Sequence, residues 1–161
     1  IKKVKNKTSF NRRTKMTKLI VTDSDTENKF YPTNISFNAD GNTYLLSMSK
    51  DKEYMTRTVH PSGKLIRDPL ADSGTFAYYY DYMSIAYDAV TGKQYLCCIS
   101  TENKYFELFL IQDSGKLTST NTFSFVKGFN RSIAIFIINS KFFVYIQNET
   151  TKYWEVMSIS K

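Results

Sequence analysis

One pattern of aromatic and apolar residues occurs three times along the 161-residue chain. Each copy begins with an aromatic residue followed by an apolar one: Tyr44-Leu45, Tyr95-Leu96 and Phe143-Val144. A second aromatic residue follows ten positions later, at Tyr54, Tyr105 and Tyr153. The starts lie 51 and then 48 residues apart. A repeat of this length is typical of β-repeat architectures, so the pattern predicts an all-β fold with three tandem repeats.

Each repeat is expected to form a four-stranded antiparallel unit. The predicted first strands are 35–39, 84–89 and 132–138, the second 43–49, 94–100 and 142–148, and the third 54–60, 105–111 and 153–159. Turns such as Asp40-Gly41-Asn42 supply the positive φ that tight hairpins need. The predicted fourth strands are 64–69 and 116–125. The organisation is therefore an N-terminal arm, 1–18, and one domain, 19–161, with repeats at about 30–66, 76–117 and 123–161.

Two of the second strands are apolar at nearly every position, namely 95–99 and 143–146. A strand with one solvated face alternates between apolar and polar residues, whereas these two do not. We therefore expect both faces of each strand to be covered by protein. Sheets that pack against a neighbour on either side meet this condition.

The order of short strand, hairpin, aromatic strand, Gly-Lys-Leu turn and outer strand resembles a β-propeller blade. Residues 141–159 are also similar to the aromatic centre of a hemopexin-type blade. The resemblance implies an architecture and assigns no functional residue. A closed propeller takes about four to eight blades, so three blades predict a part of a larger propeller or an oligomer. The alternative is a β-trefoil, which is built from three four-stranded repeats.

The positive charge of the chain is concentrated before residue 19. The first 18 residues contain no acidic residue and eight basic ones: Lys2, Lys3, Lys5, Lys7, Arg12, Arg13, Lys15 and Lys18. Of 22 basic residues, 14 therefore remain beside 15 acidic ones, so the rest of the chain has a net charge of −1. The arm is a candidate for binding nucleic acid or an anionic membrane, or for docking on a neighbouring subunit.

A run of aromatic residues precedes the second repeat, at Phe76, Tyr78, Tyr79, Tyr80 and Tyr82. One interpretation is a core strand, in which alternation leaves Tyr79 on the opposite face from the others. The other is a sugar or peptide site, in which Tyr79 provides an aromatic surface and Asp81 a carboxylate. Tyr79 and Asp81 are therefore the candidate binding residues of the repeat body.

The chain has no recognisable catalytic, metal-binding or cofactor-binding motif, and we expect no cofactor. His60 is the only histidine, which excludes a multi-histidine metal site or a histidine-dependent triad within one chain, and it is expected in a surface turn. Cys97 and Cys98 are adjacent, so their side chains should point to opposite faces of one strand. Asp23, Asp25 and Glu27 lack the central glycine of a calcium loop and are expected to form a polar turn.

The leading hypothesis is a non-catalytic recognition module that binds a protein or glycan through loops of a β-repeat scaffold. In that case the chain is a subunit or a part of a larger assembly, with a second copy or a complementary chain as a possible partner. The alternative is binding to nucleic acid or an anionic surface through the basic arm. An enzyme is the third hypothesis, because a pair of carboxylates can meet in space without leaving a sequence motif.

Overall fold

The protein was analysed as a computed structural model that describes residues 29–124, 131–148 and 150–159, except the side chains of 131–133. The described residues form eleven β-strands in three antiparallel sheets. Sheet 1 contains β1 (Thr33–Ala39), β2 (Asn42–Met48), β3 (Glu53–Val59) and β4 (Asp72–Thr75). Sheet 2 contains β5 (Tyr82–Asp88), β6 (Lys93–Ser100), β7 (Tyr105–Ile111) and β8 (Leu117–Ser124). Sheet 3 contains β9 (Arg131–Ile138), β10 (Lys141–Asn148) and β11 (Trp154–Ile159).

Consecutive strands are hydrogen-bonded neighbours in every sheet. Ala39 pairs with Asn42, which leaves Asp40 and Gly41 as a two-residue hairpin loop with φ values of 45° and 73°. Positive φ at both central residues matches the right-handed twist of the flanking strands, and Asp-Gly meets that requirement at little steric cost. The predicted all-β class is confirmed, and strands are present at the positions predicted for the first, second and third strands.

The three sheets lie side by side with their first strands adjacent, β1 beside β5 and β5 beside β9. One apolar core lies between sheets 1 and 2 and includes Leu46, Leu96 and Phe109. A second core lies between sheets 2 and 3 and includes Leu108 and Val144. Sheet 2 is therefore the middle layer, and apolar contacts cover both of its faces.

The two adjacent cysteines are buried on opposite sides of sheet 2. Cys98 lies in the core shared with sheet 1, and Cys97 lies in the core shared with sheet 3. Both thiols are free and buried. The prediction that their side chains point to opposite faces of one strand is confirmed.

The predicted fourth strand at 64–69 is wrong. Within that segment Leu65 makes an isolated bridge to Val59, and the strand that completes sheet 1 is β4, after Pro69. Proline cannot donate a hydrogen bond to a strand ladder, so regular pairing with β3 resumes only beyond it. The predicted fourth strand of the second repeat is confirmed as β8.

The interpretation of residues 76–82 as one core strand is also wrong. Residues 76–81 form a connection between β4 and β5, and the strand begins at Tyr82. Phe76 and Tyr80 are nevertheless buried, and Tyr78 and Tyr79 pack against the same core. The aromatic run therefore serves packing without the alternation of a strand.

Sheet 3 differs from the other two because it has three strands among the described residues. Phe142, Val144 and Ile146 of β10 are buried against sheet 2, whereas Phe143 and Tyr145 on the opposite face are only half-buried. The prediction that both faces of 143–146 are covered is thus met on one face only. In the described part of the chain no strand pairs with a strand of another sheet, which disfavours the interleaved barrel of a trefoil.

The part of the chain that the structure describes contains no helix long and apolar enough to cross a membrane.

Candidate functional site

The connection formed by residues 76–81, here called the linker, lies at the same end of the sheets as the β2–β3 and β6–β7 turns. Phe76 anchors the linker in the core, with its ring centroid 4.2 Å from Tyr54, 5.3 Å from Tyr80 and 5.1 Å from Phe109. The backbone N–H of Phe76 also donates to the carbonyl of Lys52, at 2.9 Å. These contacts fix the linker against the ends of sheets 1 and 2.

The candidate residues Tyr79 and Asp81 lie on the accessible side of the linker. The hydroxyl of half-buried Tyr79 lies 3.3 Å from the hydroxyl of Thr33, at the start of β1. Exposed Asp81 accepts two hydrogen bonds at Oδ2, from the backbone N–H of Thr101 at 2.9 Å and from its hydroxyl at 2.7 Å. Tyr79 and Asp81 are thus held in place by different elements, Tyr79 by sheet 1 and Asp81 by a turn of sheet 2.

The structure adds residues to this surface that sequence reasoning did not select. Tyr78 packs on Tyr105 with ring centroids 4.6 Å apart, and Thr101 holds Asp81. We call Tyr78, Tyr79, Asp81, Thr101 and Tyr105 the linker-end surface. Tyr105 could be identified in the sequence as the second aromatic residue of its repeat. Thr101 could not be identified in this way, because it is 20 residues from its partner Asp81.

The candidate residues of the basic arm all lie outside the described residues: Lys2, Lys3, Lys5, Lys7, Arg12, Arg13, Lys15 and Lys18. The predicted polar turn at Asp23, Asp25 and Glu27 also lies outside them. Binding through the arm therefore stays a prediction from charge.

A polar network joins the linker to sheet 2. The hydroxyl of Tyr80, which is fully buried, donates to Oε2 of Glu107, and the hydroxyl of Ser119 donates to Oε1 at 2.7 Å. Burial, followed by the hydrogen bond to Glu107, strongly raises the pKa of Tyr80. The network joins the buried Tyr80 and Glu107 to exposed Ser119, so it ties the linker to β7 and β8.

Polar contacts also join neighbouring sheets. Oδ2 of Asp72 in β4 accepts from the backbone N–H of Leu117 at 2.9 Å and from the hydroxyl of Tyr54 at 3.2 Å. Burial and the Asp72 carboxylate together raise the pKa of Tyr54 to about 12. A carboxylate in sheet 1 thus caps the start of β8 in sheet 2.

Asp88 makes the corresponding link between sheets 2 and 3. It accepts from the Val90 N–H at 3.1 Å, the Thr91 hydroxyl at 2.8 Å and the Ser140 hydroxyl at 3.2 Å. Burial opposes ionisation of the carboxyl, but the hydrogen bonds from Thr91, Ser140 and Val90 outweigh it and lower the pKa of Asp88. These donors therefore favour the charged carboxylate at the junction.

A cleft of about 520 Å³ opens between sheets 2 and 3. Phe123 of β8 lines one side, and Phe142 and Ile159 of sheet 3 line the other, with Asn121, Ser140, Lys141 and Ser158 at the margin. The cleft contains hydroxyl, amide and ammonium groups, and none of its described lining residues carries a carboxylate. It lies outside the linker-end surface.

The described residues contain no group of three or more His, Cys, Asp or Glu side chains that could hold a metal ion. His60 lies in an exposed turn, where its Nδ1 is 2.8 Å from the hydroxyl of Ser62. Burial raises the pKa of both cysteine thiols, which keeps them in the unreactive thiol form. The described chemistry of the site is thus aromatic contact, hydrogen bonding and one exposed carboxylate.

By sequence, the chain matches no family model and no curated protein. By structure, it is similar to a propeller-like protein from Lactobacillus plantarum, with a TM-score of 0.53 and 11% identity over 89% of this chain. The chain spans about half of that protein's length, 48%. Similarity at this identity shows the fold alone. The chain is accordingly an all-β protein whose antiparallel sheets have a propeller-like neighbour.

Proposed function

We propose that this protein is a non-catalytic recognition module that binds a protein partner through the linker-end surface. The sheets serve as blades of an open propeller-type scaffold, and the loops at one end carry the binding residues. The observation that carries the proposal is the fixation of an exposed carboxylate, Asp81, by two hydrogen bonds from Thr101, on a surface that also contains half-buried tyrosines.

The accessible groups suit contact with a protein. Tyrosine combines a large apolar ring with a hydroxyl and is enriched at interfaces for that reason. Tyr78 is ordered by Tyr105 and Tyr79 by Thr33, so less side-chain freedom is lost when a partner binds. Asp81 supplies a negative charge that favours a basic group on the partner.

A glycan is the alternative ligand for the same surface. Sugar rings stack on open aromatic faces, but one face of Tyr78 is already occupied by Tyr105. The stacking area left for a sugar is therefore smaller than the number of tyrosines suggests. We favour a protein partner for this reason.

The test compares binding of the whole chain to immobilised protein and glycan panels. Two variants address the surface: Tyr79→Ala removes one ring, and Asp81→Asn removes the charge while keeping an acceptor for Thr101. Tyr87→Ala is the matched control, because Tyr87 is an exposed tyrosine outside the linker. We expect a protein ligand whose affinity falls about tenfold or more in either linker variant and is unchanged in the control.

Two results would overturn the proposal. The first is a protein ligand that binds wild type, Tyr79→Ala and Asp81→Asn with equal affinity. The second is binding confined to the glycan panel, which would leave the surface intact as a site but assign it the other ligand. Unfolding curves for each variant separate loss of the surface from loss of the fold.

A further inference from the structure

The outer face of sheet 3, which points away from sheet 2, exposes large apolar side chains. Trp154 is 60% exposed, Ile138 53% and Val156 47%. Strand pairing places Phe136, Phe143 and Tyr145 on the same face. Two pairs of rings are stacked on this face. The ring centroids of Phe136 and Phe143 are 5.5 Å apart, and those of Tyr145 and Trp154 are 6.3 Å apart. A contiguous exposed apolar patch on a sheet marks an interaction surface.

Charge is nearly absent from this face. Among the described residues that alternate outward, Lys141 is the one charged side chain, and it lies at the margin opposite Ile138. Glu155 pairs with Ile146 and therefore belongs to the other face. Gln147 and Ser158 also alternate outward, near the ends of their strands, and the Gln147 amide oxygen accepts from the Tyr145 hydroxyl at 3.3 Å. A suitable partner surface must therefore be apolar at its centre, because an uncompensated charge buried there would be destabilising.

The outer face of sheet 1 does not meet that requirement. Its first strand exposes Asn34, Ser36 and Asn38, which alternate outward on this face. If two copies joined sheet 3 to sheet 1, aromatic rings would cover these amide and hydroxyl groups. Head-to-tail closure of a ring by two copies is therefore disfavoured.

We propose that the outer face of sheet 3 packs against the same face of a second copy of this chain. Such a contact places apolar groups opposite apolar groups on both sides, and a two-fold axis makes it self-complementary. It has the geometry of aligned sheet packing, with the two sheets about 10 Å apart. The surface is separate from the linker-end surface, so dimerisation and partner binding can be tested independently.

The size of the face sets the expected affinity. The three strands contain 8, 8 and 6 residues. With strands about 4.8 Å apart and about 3.3 Å per residue, the face measures roughly 14 by 23 Å. Two such faces cover roughly 650 Å² in total, which is below the range for stable complexes and places the contact among weak, transient interfaces. We therefore expect a reversible dimer with a dissociation constant in the range of about 1–100 µM.

Sedimentation of the whole chain between about 1 and 500 µM tests the dimer, because that range spans the expected dissociation constant. Val156→Arg places a charge in the centre of the outer face and should shift the monomer–dimer midpoint at least tenfold. Val90→Arg makes the same chemical change at a turn residue that is 69% exposed, and it should dimerise like wild type. Ser36→Arg changes the outer face of sheet 1 and should also leave the dimer unchanged.

Trp154 provides an independent optical signal, because it is the only tryptophan. Its emission should shift to shorter wavelength as wild type is concentrated, and should stay red-shifted in Val156→Arg. A chain that remains monomeric with a solvated Trp154 throughout the concentration range overturns the proposal. So does a dimer that Ser36→Arg disrupts and Val156→Arg does not, since that result assigns the contact to sheet 1.

Discussion

Replacing Tyr80 by Phe removes one buried hydroxyl and leaves the ring in place. Tyr80 is fully buried, and its hydroxyl donates to the carboxylate of Glu107, which is 7% exposed. A hydrogen bond to a charged group contributes about 1.5–3 kcal/mol, and leaving the acceptor without its donor adds to the cost. Because the ring is retained, no apolar packing is lost. We expect the free energy of unfolding to fall by about 2 kcal/mol.

Urea and thermal unfolding measure this change. For a chain of this size, about 2 kcal/mol corresponds to a fall in Tm of roughly 4–8 °C. Tyr87→Phe is the control, because Tyr87 is 57% exposed and its substitution should change stability by less than about 0.5 kcal/mol. A double-mutant cycle with Glu107→Gln should give a coupling energy above about 0.5 kcal/mol. Equal stability of Tyr80→Phe and Tyr87→Phe, with no coupling to Glu107, would refute the network.

Three further predictions concern the sheet junction, the cysteines and the arm. Asp88→Asn should lower the free energy of unfolding near neutral pH, because the hydroxyls of Thr91 and Ser140 lose a charged acceptor. The lowered pKa of Asp88 stabilises the folded state at pH values above the ordinary carboxyl pKa of about 3.9, and this contribution is lost as the pH falls. In urea titrations at several pH values, the free energy of unfolding should therefore fall less on acidification in the variant than in wild type. Cys97 and Cys98 should resist a thiol reagent in the native chain and both react after unfolding, and rapid native labelling would contradict their burial on opposite faces of β6. Deleting residues 1–18 should abolish any salt-sensitive binding to duplex DNA or phosphatidylserine vesicles, whereas binding that survives the deletion and ignores salt would eliminate the arm as the binding element.

The sequence predicts the strands well where local chemistry decides them. Asp40-Gly41 defines a hairpin by its own backbone preferences, and alternation across Cys97 and Cys98 follows from strand geometry. Both features are set by residues next to each other in the chain. They can therefore be inferred without knowing which sheets pack together.

The fourth strand of sheet 1 could not be placed in this way. Leu65 has the residue type of its counterpart Leu117, but Pro61 and Pro69 flank its segment and the ladder to β3 is re-formed only by β4. The partners of β4 are set by contacts distant in sequence, such as the bond from Leu117 to Asp72 across 45 residues. The segments around Leu65 and Leu117 therefore have similar sequences, but only the second forms the fourth strand of its sheet.

The candidate site was predictable in part for the same reason. Tyr79 and Asp81 were visible as an aromatic and an acidic residue, but a strand period was assumed for a segment that proved to be a connection. Thr33 and Thr101, which hydrogen-bond to Tyr79 and Asp81, lie in other parts of the fold. Contacts between residues so far apart in sequence cannot be predicted from a local pattern. The apolar pattern of 143–146 predicted two covered faces, and the structure instead leaves the outer face of sheet 3 accessible.

The central claim is that sheet 2 is the middle layer between two apolar cores. Hydrogen exchange of the protein at low concentration, measured by mass spectrometry, tests it. Peptides from β6 and β7 should exchange most slowly, because both faces of those strands are buried. Peptides from β4 and β11 should exchange faster, since each of these strands pairs along one edge among the described residues. Exchange in β6 and β7 as fast as in β4 and β11 would contradict the account.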